Sequence, residues 1–524
     1  MHLEPSSRQR ELIALARRLA RERFAPRADR HDRDASFPFD DYADLRTEGL
    51  LGLCVPEHYG GLGADYETYC LVAEQLAQGN ASTALTFNMH CLTMLMMGPI
   101  ADNMAVPAAV RERHERLRAA KFREVVEEGA FYGQPHSEPV EQGETDTKLG
   151  VGGRRFGTTA LKVDGGYVVN GRKFFVSLAG CAPYYATPAI RLGDEPWIER
   201  TLYLQIPKDA PGVSFPGDWD PMGMRATVSR DMLLDNVFVP EDAEVLPPGL
   251  FGAMYNAFPH LFLSFSATFL GVMQAAYDGA LAYLTGRMPG APIPHTEIAA
   301  KGHAIAEMLF AIESARAIYY RAISEAQVDA PLEAVQRARA AHVTVQRAVV
   351  AVTQEAIRVC GGRAFLKRYP FERYARDARA AALMRPWTQE IATQQAWEAA
   401  LGLDGQQGGA AGGVTVLPCG EWASRFRCTA SERLSRPGRP SGRLTRSRSA
   451  NRRSATLSGP RFRAPTLGAI YSTCAGGCWP SGRAFWSDLG KSSPKHLGKN
   501  AQMPNRNIFR QTLELTRFGG RFVA

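Results

Sequence analysis

The sequence predicts an α+β multidomain chain: an all-α N-terminal domain over 1–128, an antiparallel β-domain over 129–245 and a C-terminal four-helix bundle over 246–403. Three observations carry this reading. Apolar residues recur at helical spacing before residue 120 and again after 250. Between those stretches the runs shorten, become β-rich and are bounded by Pro, Gly and Asp. After Leu403 the periodicity stops, and 404–524 reads as a basic, low-complexity tail expected to be disordered.

In the first segment, "SSRQRELIALARRLARERF" sets Leu12, Leu15, Ala16, Leu19 and Phe24 on one face. Ser7 is the expected cap, Glu11 its partner and Pro26 the expected stop. "HYGGLGAD" is a glycine-rich turn opening a second helix, "DYETYCLVAEQLA", whose first-turn acids suit the helix dipole. "ASTALTFNMHCLTMLMMGPI" is apolar nearly all round and is expected to be buried. In the β-segment, "GGYVVNGRKFFV" reads as two short runs joined by a hairpin turn at Asn170-Gly171. "RTLYLQIP" and "SRDMLLDNVFVP" supply further strands. Farther on, Ile298, Ile305, Leu309, Ile312, Tyr319 and Ile323 keep one helical face, as do Val345, Val349, Val352, Ala356 and Val359. Two long antiparallel helices imply a bundle.

Composition excludes several classes. No apolar run approaches the ~20 residues a membrane helix needs. The N-terminus has no apolar signal core, so a cytoplasmic protein is expected. The net charge of +9 conceals two parts: 20 of the 62 Lys/Arg but only 5 of the 53 Asp/Glu fall in 404–524, which leaves 1–403 acidic. The tail reads as disordered or as read-through or frame-shifted coding. The competing reading is an arginine-rich arm for acidic surfaces, and a nucleic-acid partner is not expected. Five of the nine cysteines (Cys54, Cys70, Cys91, Cys181, Cys360) sit in apolar or small-residue contexts and read as reduced core thiols. "CAGGC" lacks a histidine at a partner spacing, so no metal site is expected.

Five stretches in order, "LRTEGLLGLCVPEHYGGLGAD", "DGGYVVNGRKFFVSLAG", "GMRATVSRDMLLDNVFVP", "FLGVMQAAYDGALAYL" and "CGGRAFLKRYPFERYARDARAA", resemble the acyl-CoA dehydrogenase family. The resemblance covers 1–403. It implies FAD between the β-domain and the bundle, a second subunit completing the site in a homodimer or homotetramer, and electron transfer to an electron-transfer flavoprotein. The implied reaction is α,β-dehydrogenation of an acyl-CoA thioester: a base takes the α-proton while the β-hydrogen leaves as hydride to flavin N5. In "YGQPHSEP", Gln134, His136 and Ser137 match the family's flavin-facing strand end. In "KFFVS", Phe175 stands where an aromatic lies against the flavin and Ser177 where a hydroxyl reaches the N5 edge. Arg287, Arg358, Gly361 and Gly362 match positions that hold the pyrophosphate across the dimer.

By the resemblance, neither of the family's usual slots holds a carboxylate: they hold Arg385 (or Met384, one register earlier) and Leu261, with Phe262 where an arginine is usual. An arginine cannot take a proton at working pH. Glu390, beyond a helix break at Pro386, and His260 are the candidate bases. Two other readings stay open: a flavin-dependent monooxygenase or oxidase on the same fold, and a non-catalytic member with a basic binding tail.

Overall fold

The computed structural model describes residues 4–138, 156–196, 198–291, 298–384 and 388–403. The basic tail and the break at Arg385–Trp387 lie outside them. Helices come first: α1 Ser7–Leu19, α2 Ala25–Asp34, α3 Phe39–Thr47, α4 Tyr66–Ala77, α5 Ala81–Leu95 and α6 Ala108–Arg123. Strands follow: β1 Tyr132–Gly133, β2 Thr159–Val163, β3 Gly166–Val176, β4 Tyr184–Arg191, β5 Thr201–Pro207, β6 Val213–Ser214, β7 Arg230–Pro240 and β8 Glu244–Leu246. Helices return as α7 Leu250–Ala257, α8 Leu263–Leu284, α9 Ala299–Ser324, α10 Leu332–Cys360, α11 Phe371–Ala378 and α12 Gln389–Ala400. Among the described residues no helix is long and apolar enough to cross a membrane.

The expected order of helical, sheet and helical parts is observed, with local differences. The cap of α1 is Ser6, whose hydroxyl accepts from the Gln9 amide while the Gln9 side chain answers it, so the capping box lies ahead of the expected Ser7 and Glu11. Pro26 does not stop the chain. A π-helical turn at Ala20–Phe24 joins α1 to α2 without a break, and Pro26 stands just after it in the first turn of α2. Helix α5 is buried on every side, as its all-round apolar sequence requires, and Asn80 caps it by accepting from Ser82 and Thr83.

The sheet runs β6-β7-β3-β2-β4-β5-β8, with β1 on β4. It is mixed rather than antiparallel, because β1 and β2 both pair parallel with β4. The turn expected at Asn170-Gly171 is not there: β3 runs straight through it. Asp164-Gly165 makes the hairpin, pairing Val163 with Gly166, and Gly165 takes the left-handed φ of +76° such a turn demands. Asn170-Gly171 instead marks a register shift against β7. A Cβ on Gly171 would lie 2.4 Å from Thr158 Oγ1, so this glycine serves close backbone approach.

Helix α10 buries Val345, Val349, Val352, Ala356 and Val359, the expected face. Helix α9 buries Ala304, Met308, Ile312, Ala315, Tyr319, Ala322 and Ile323, so Ile312, Tyr319 and Ile323 of the expected face are packed while Ile298 and Leu309 are exposed. The packed face mixes large residues with Ala304, Ala315 and Ala322, and a pattern of large apolar residues misses the alanines. The five cysteines of the body are free thiols, four of them buried and Cys181 half-buried.

Two glycine substitutions separate these roles in thermal denaturation. Gly165→Ala should cost about 1–2 kcal/mol through its left-handed φ alone, since nothing lies within 4 Å of an added Cβ. Gly171→Ala should cost about 1–3 kcal/mol through overpacking against Thr158.

Candidate active site

A cleft of about 360 Å³ opens where the sheet meets the C-terminal helices. Leu85 and Met89 of α5 line it, with Gln134, His136 and Ser137 beyond β1, Phe175 and Ser177 at the end of β3, and Phe265 of α8. The loop from Trp219 to Ser229 and residues Arg376 to Met384 close the other side.

Five sequence-predicted residues therefore meet here: Gln134, His136, Ser137, Phe175 and Ser177. Phe175 is 67% exposed and adopts a left-handed φ of +51° beside a register shift between Lys173 and Val176. A large side chain in that conformation is strained, and such strain clusters at ligand sites. Its ring stands edge-on to Trp219 at 6.4 Å and 78°. Ser177 Oγ lies 3.0 Å from Ser229 Oγ, which lies 2.8 Å from Thr227 Oγ1, and that hydroxyl donates to the Met224 carbonyl at 2.9 Å. A short chain of hydroxyls thus runs along one wall.

Gln134 donates to Thr93 Oγ1 at 2.9 Å. His136 turns its ring nitrogens inward onto the Tyr255 hydroxyl at 3.0 Å and the Tyr203 hydroxyl at 3.3 Å. Burial, helped by the charge of Lys173, lowers its pKa to about 3, so it stays neutral.

Other candidates lie elsewhere. His260 is fully buried on a short turn before α8, with no hydrogen-bond partner for either ring nitrogen among the described residues. Burial lowers its pKa to about 4, and it does not line the cleft. Glu390 is exposed in the first turn of α12, also outside the cleft. Leu261 and Phe262 do not reach the cleft, whereas Phe265, one turn later, does. Arg287 borders a separate polar cleft of about 810 Å³ with Arg17, Arg21 and Arg316. Arg358 is exposed and pairs with Glu355 at 2.7 Å. Gly361 ends α10, and the backbone at Gly361-Gly362 is open, with nothing within 4 Å of an added Cβ.

Among the described lining residues there is no carboxylate; the charged groups are Arg376 and Arg379. Sequence reasoning missed these two, along with Trp219, Met224, Thr227 and Ser229. The last three lie in "GMRATVSRDM", where hydroxyls two positions apart were the available signal.

Comparison with known proteins follows the same three parts. The chain matches the acyl-CoA dehydrogenase N-terminal domain over 6–104, the middle domain over 142–237 and the C-terminal domain over 251–400. A putative acyl-CoA dehydrogenase of Bacillus subtilis, YdbM, is 30% identical over 72% of this chain and 93% of its own. The chain belongs to the acyl-CoA dehydrogenase family. Benzylmalonyl-CoA dehydrogenase of Aromatoleum aromaticum is 26% identical over 72% of this chain and 94% of that one. Among solved structures, KijD3 with FMN and an amino-keto-sugar nucleotide is 26% identical, covering 76% of this chain and 95% of that one with a TM-score of 0.62. Butyryl-CoA dehydrogenase of Megasphaera elsdenii shares the fold at 22% identity and a TM-score of 0.64, covering 76% of this chain and all of that one.

In this family member a clasp holds the wall of the cleft. Arg376 grips Asp32 of α2 at 3.0 and 2.6 Å, Glu372 at 2.6 Å and the Met222 carbonyl at 2.9 Å. Beside it, buried Asp377 accepts the Met224 amide at 2.6 Å. Burial pushes the Asp377 carboxyl up to about 6.

The native state thus binds this proton more tightly than the unfolded chain, whose carboxyl titrates near ~3.9. The contribution is fully present below that value and is lost as pH rises through about 6. Asp377→Asn keeps an acceptor for Met224. In urea titrations it should match the parent protein at pH 4 and exceed it at pH 7 by up to about 3 kcal/mol.

Proposed function

We propose that this chain is a flavin-dependent oxidoreductase, with the isoalloxazine seated in the cleft between the sheet and the C-terminal helices. The observation that carries this reading is Phe175, a strained, exposed aromatic offered to a cleft that also presents serine hydroxyls. These residues fit the group. Phe175 gives a flat apolar face, Ser137 and Ser177 give hydroxyl donors at an edge, and neutral His136 braces the strand end that carries Ser137. A bound flavin supplies two-electron redox chemistry.

FAD is the form proposed. Its diphosphate would be held by Arg287, Arg358 and the open Gly361-Gly362 backbone of a second copy of the chain, since these residues stand away from the ring cleft. The arrangement calls for a homo-oligomer.

For the reaction, oxygen-dependent oxidation or monooxygenation is the reading the geometry supports best. Abstraction of an α-proton needs a base against the substrate. The described lining offers guanidinium groups instead, and the family's two carboxylate slots hold Arg385 and Leu261. Arginine can bind and orient an anionic group but cannot accept the proton. The remaining wall (Leu85, Met89, Phe265, Leu383, Met384) excludes water and suits an apolar substrate portion.

The second reading, α,β-dehydrogenation of an acyl-CoA with electrons passed to an electron-transfer flavoprotein, is supported by curated relatives that carry dehydrogenase names. It requires Glu390 to serve as the base from a repositioned α12.

Purified protein should bind FAD or FMN, and Phe175→Ala should weaken that binding about two- to tenfold, by roughly the 0.5–1.5 kcal/mol of an aromatic stack. Mixed anaerobically with a panel of acyl-CoA thioesters, the flavin should keep its oxidised absorbance; after chemical or enzymatic reduction the protein should consume oxygen. Rapid bleaching by an acyl-CoA, abolished in Glu390→Gln, would establish the dehydrogenase reading instead. A folded protein that takes up neither flavin would defeat both.

A further inference from the structure

Behind the wall that carries Phe175 lies an ion pair the proposed reaction does not use. Lys173 is 0% exposed. Its ammonium contacts the Glu138 carboxylate, donates to the Pro188 carbonyl at 2.8 Å and lies 4.9 Å from the Phe156 ring centroid. Glu138 Oε1 also accepts the Thr158 hydroxyl at 2.6 Å and the Thr158 amide at 3.1 Å, while Oε2 accepts the Gly157 amide. Burial alone would raise the Glu138 pKa. The adjacent Lys173 charge and these hydrogen bonds outweigh it and hold the carboxyl below its usual range, so the pair is ionic.

Its place in the chain gives the pair its meaning. Glu138 directly follows Ser137, and Lys173 stands two residues before Phe175. Between them the Phe174 amide donates to the Ser137 carbonyl at 3.1 Å. The two segments that present groups to the cleft are thus tied to each other and, through Thr158 and Pro188, to β2 and β4. An apolar pair of similar volume would fill this space at less desolvation cost. What charge-assisted hydrogen bonds add is direction. The left-handed residue and the register shift begin immediately after Lys173, where the backbone must be over-determined to hold a strained conformation.

We propose that Glu138 and Lys173 are positioning residues that fix Ser137 and Phe175 against the cleft, so that the ring-binding face is set before any ligand arrives. The ligand named here rests on the flavin reading above; the positioning itself does not.

The test compares Glu138→Gln/Lys173→Met, which removes both charges together, with the milder Thr158→Val, which removes one donor to Glu138. Far-UV circular dichroism and a cooperative melt establish folding. Trp219, edge-on to Phe175, reports the wall without any ligand, its near-UV signal being isolated by difference against the same proteins carrying Trp219→Phe. The proposal expects an altered Trp219 signal in both variants. Affinity for FAD or FMN should fall at least tenfold in the double variant and a few-fold in Thr158→Val. If the parent protein binds no flavin but the Trp219 signal still changes, the positioning role stands and the flavin reading falls. Folded variants with an unchanged Trp219 signal and flavin affinity within twofold of the parent would overturn the proposal, and Thr158→Val decides alone should the double variant not fold.

Discussion

Arg376 and Asp32 meet across 344 positions of sequence, and the cleft depends on that meeting. Neither charge is well solvated, so each needs its partner. By holding α11 on α2, the pair brings the segment from Ala380 to Met384 over the sheet. Arg225 extends the grip, donating to the Asp32 carbonyl at 2.8 Å from the loop that closes the same side of the cleft. Asp377 secures the same loop through the Met224 amide. Helix, loop and C-terminal segment are therefore fixed to one another by largely buried polar groups.

The same wall carries the charges that bear on the proposed chemistry. The described cleft carries Arg376 and Arg379 and no carboxylate. A concentration of positive charge disfavours protonation of a neighbouring base and favours an anion. Arg376 has its counter-ions in Asp32 and Glu372. Those two carboxylates offset the Arg376 charge, and what the described lining lacks on this side is a carboxylate free to take a proton.

Much of the fold was legible because burial patterns are local: all-round apolarity located α5, and valine spacing located the core face of α10. The errors have physical causes. Asn170-Gly171 carries the composition of a tight turn, but the glycine was selected by the approach of Thr158 across the sheet, a contact no local pattern reveals. On α9, Ala304, Ala315 and Ala322 share the packed face with Met308, Ile312, Tyr319 and Ile323, and a search for large residues passes over the alanines. At the cleft, positions matched to a family motif came together, since a motif records spatial contact. Arg376, Asp377 and the hydroxyls of Thr227 and Ser229 were harder to see, because their roles arise only when distant segments dock. His260 and Glu390 stand outside the described lining for a related reason: chemical type identifies capable groups, but packing decides which of them reach the cleft.

Four methionines, Met89, Met222, Met224 and Met384, border the cleft. Thioether side chains are long, unbranched and polarisable, and they re-form around objects of different outline at little cost. The rigid devices of the structure, the ion pairs and hydrogen-bonded loops, all lie behind or beside this soft lining. Evolution could therefore change what this scaffold accepts by exchanging one or two sulfur-bearing side chains, leaving the supporting framework untouched.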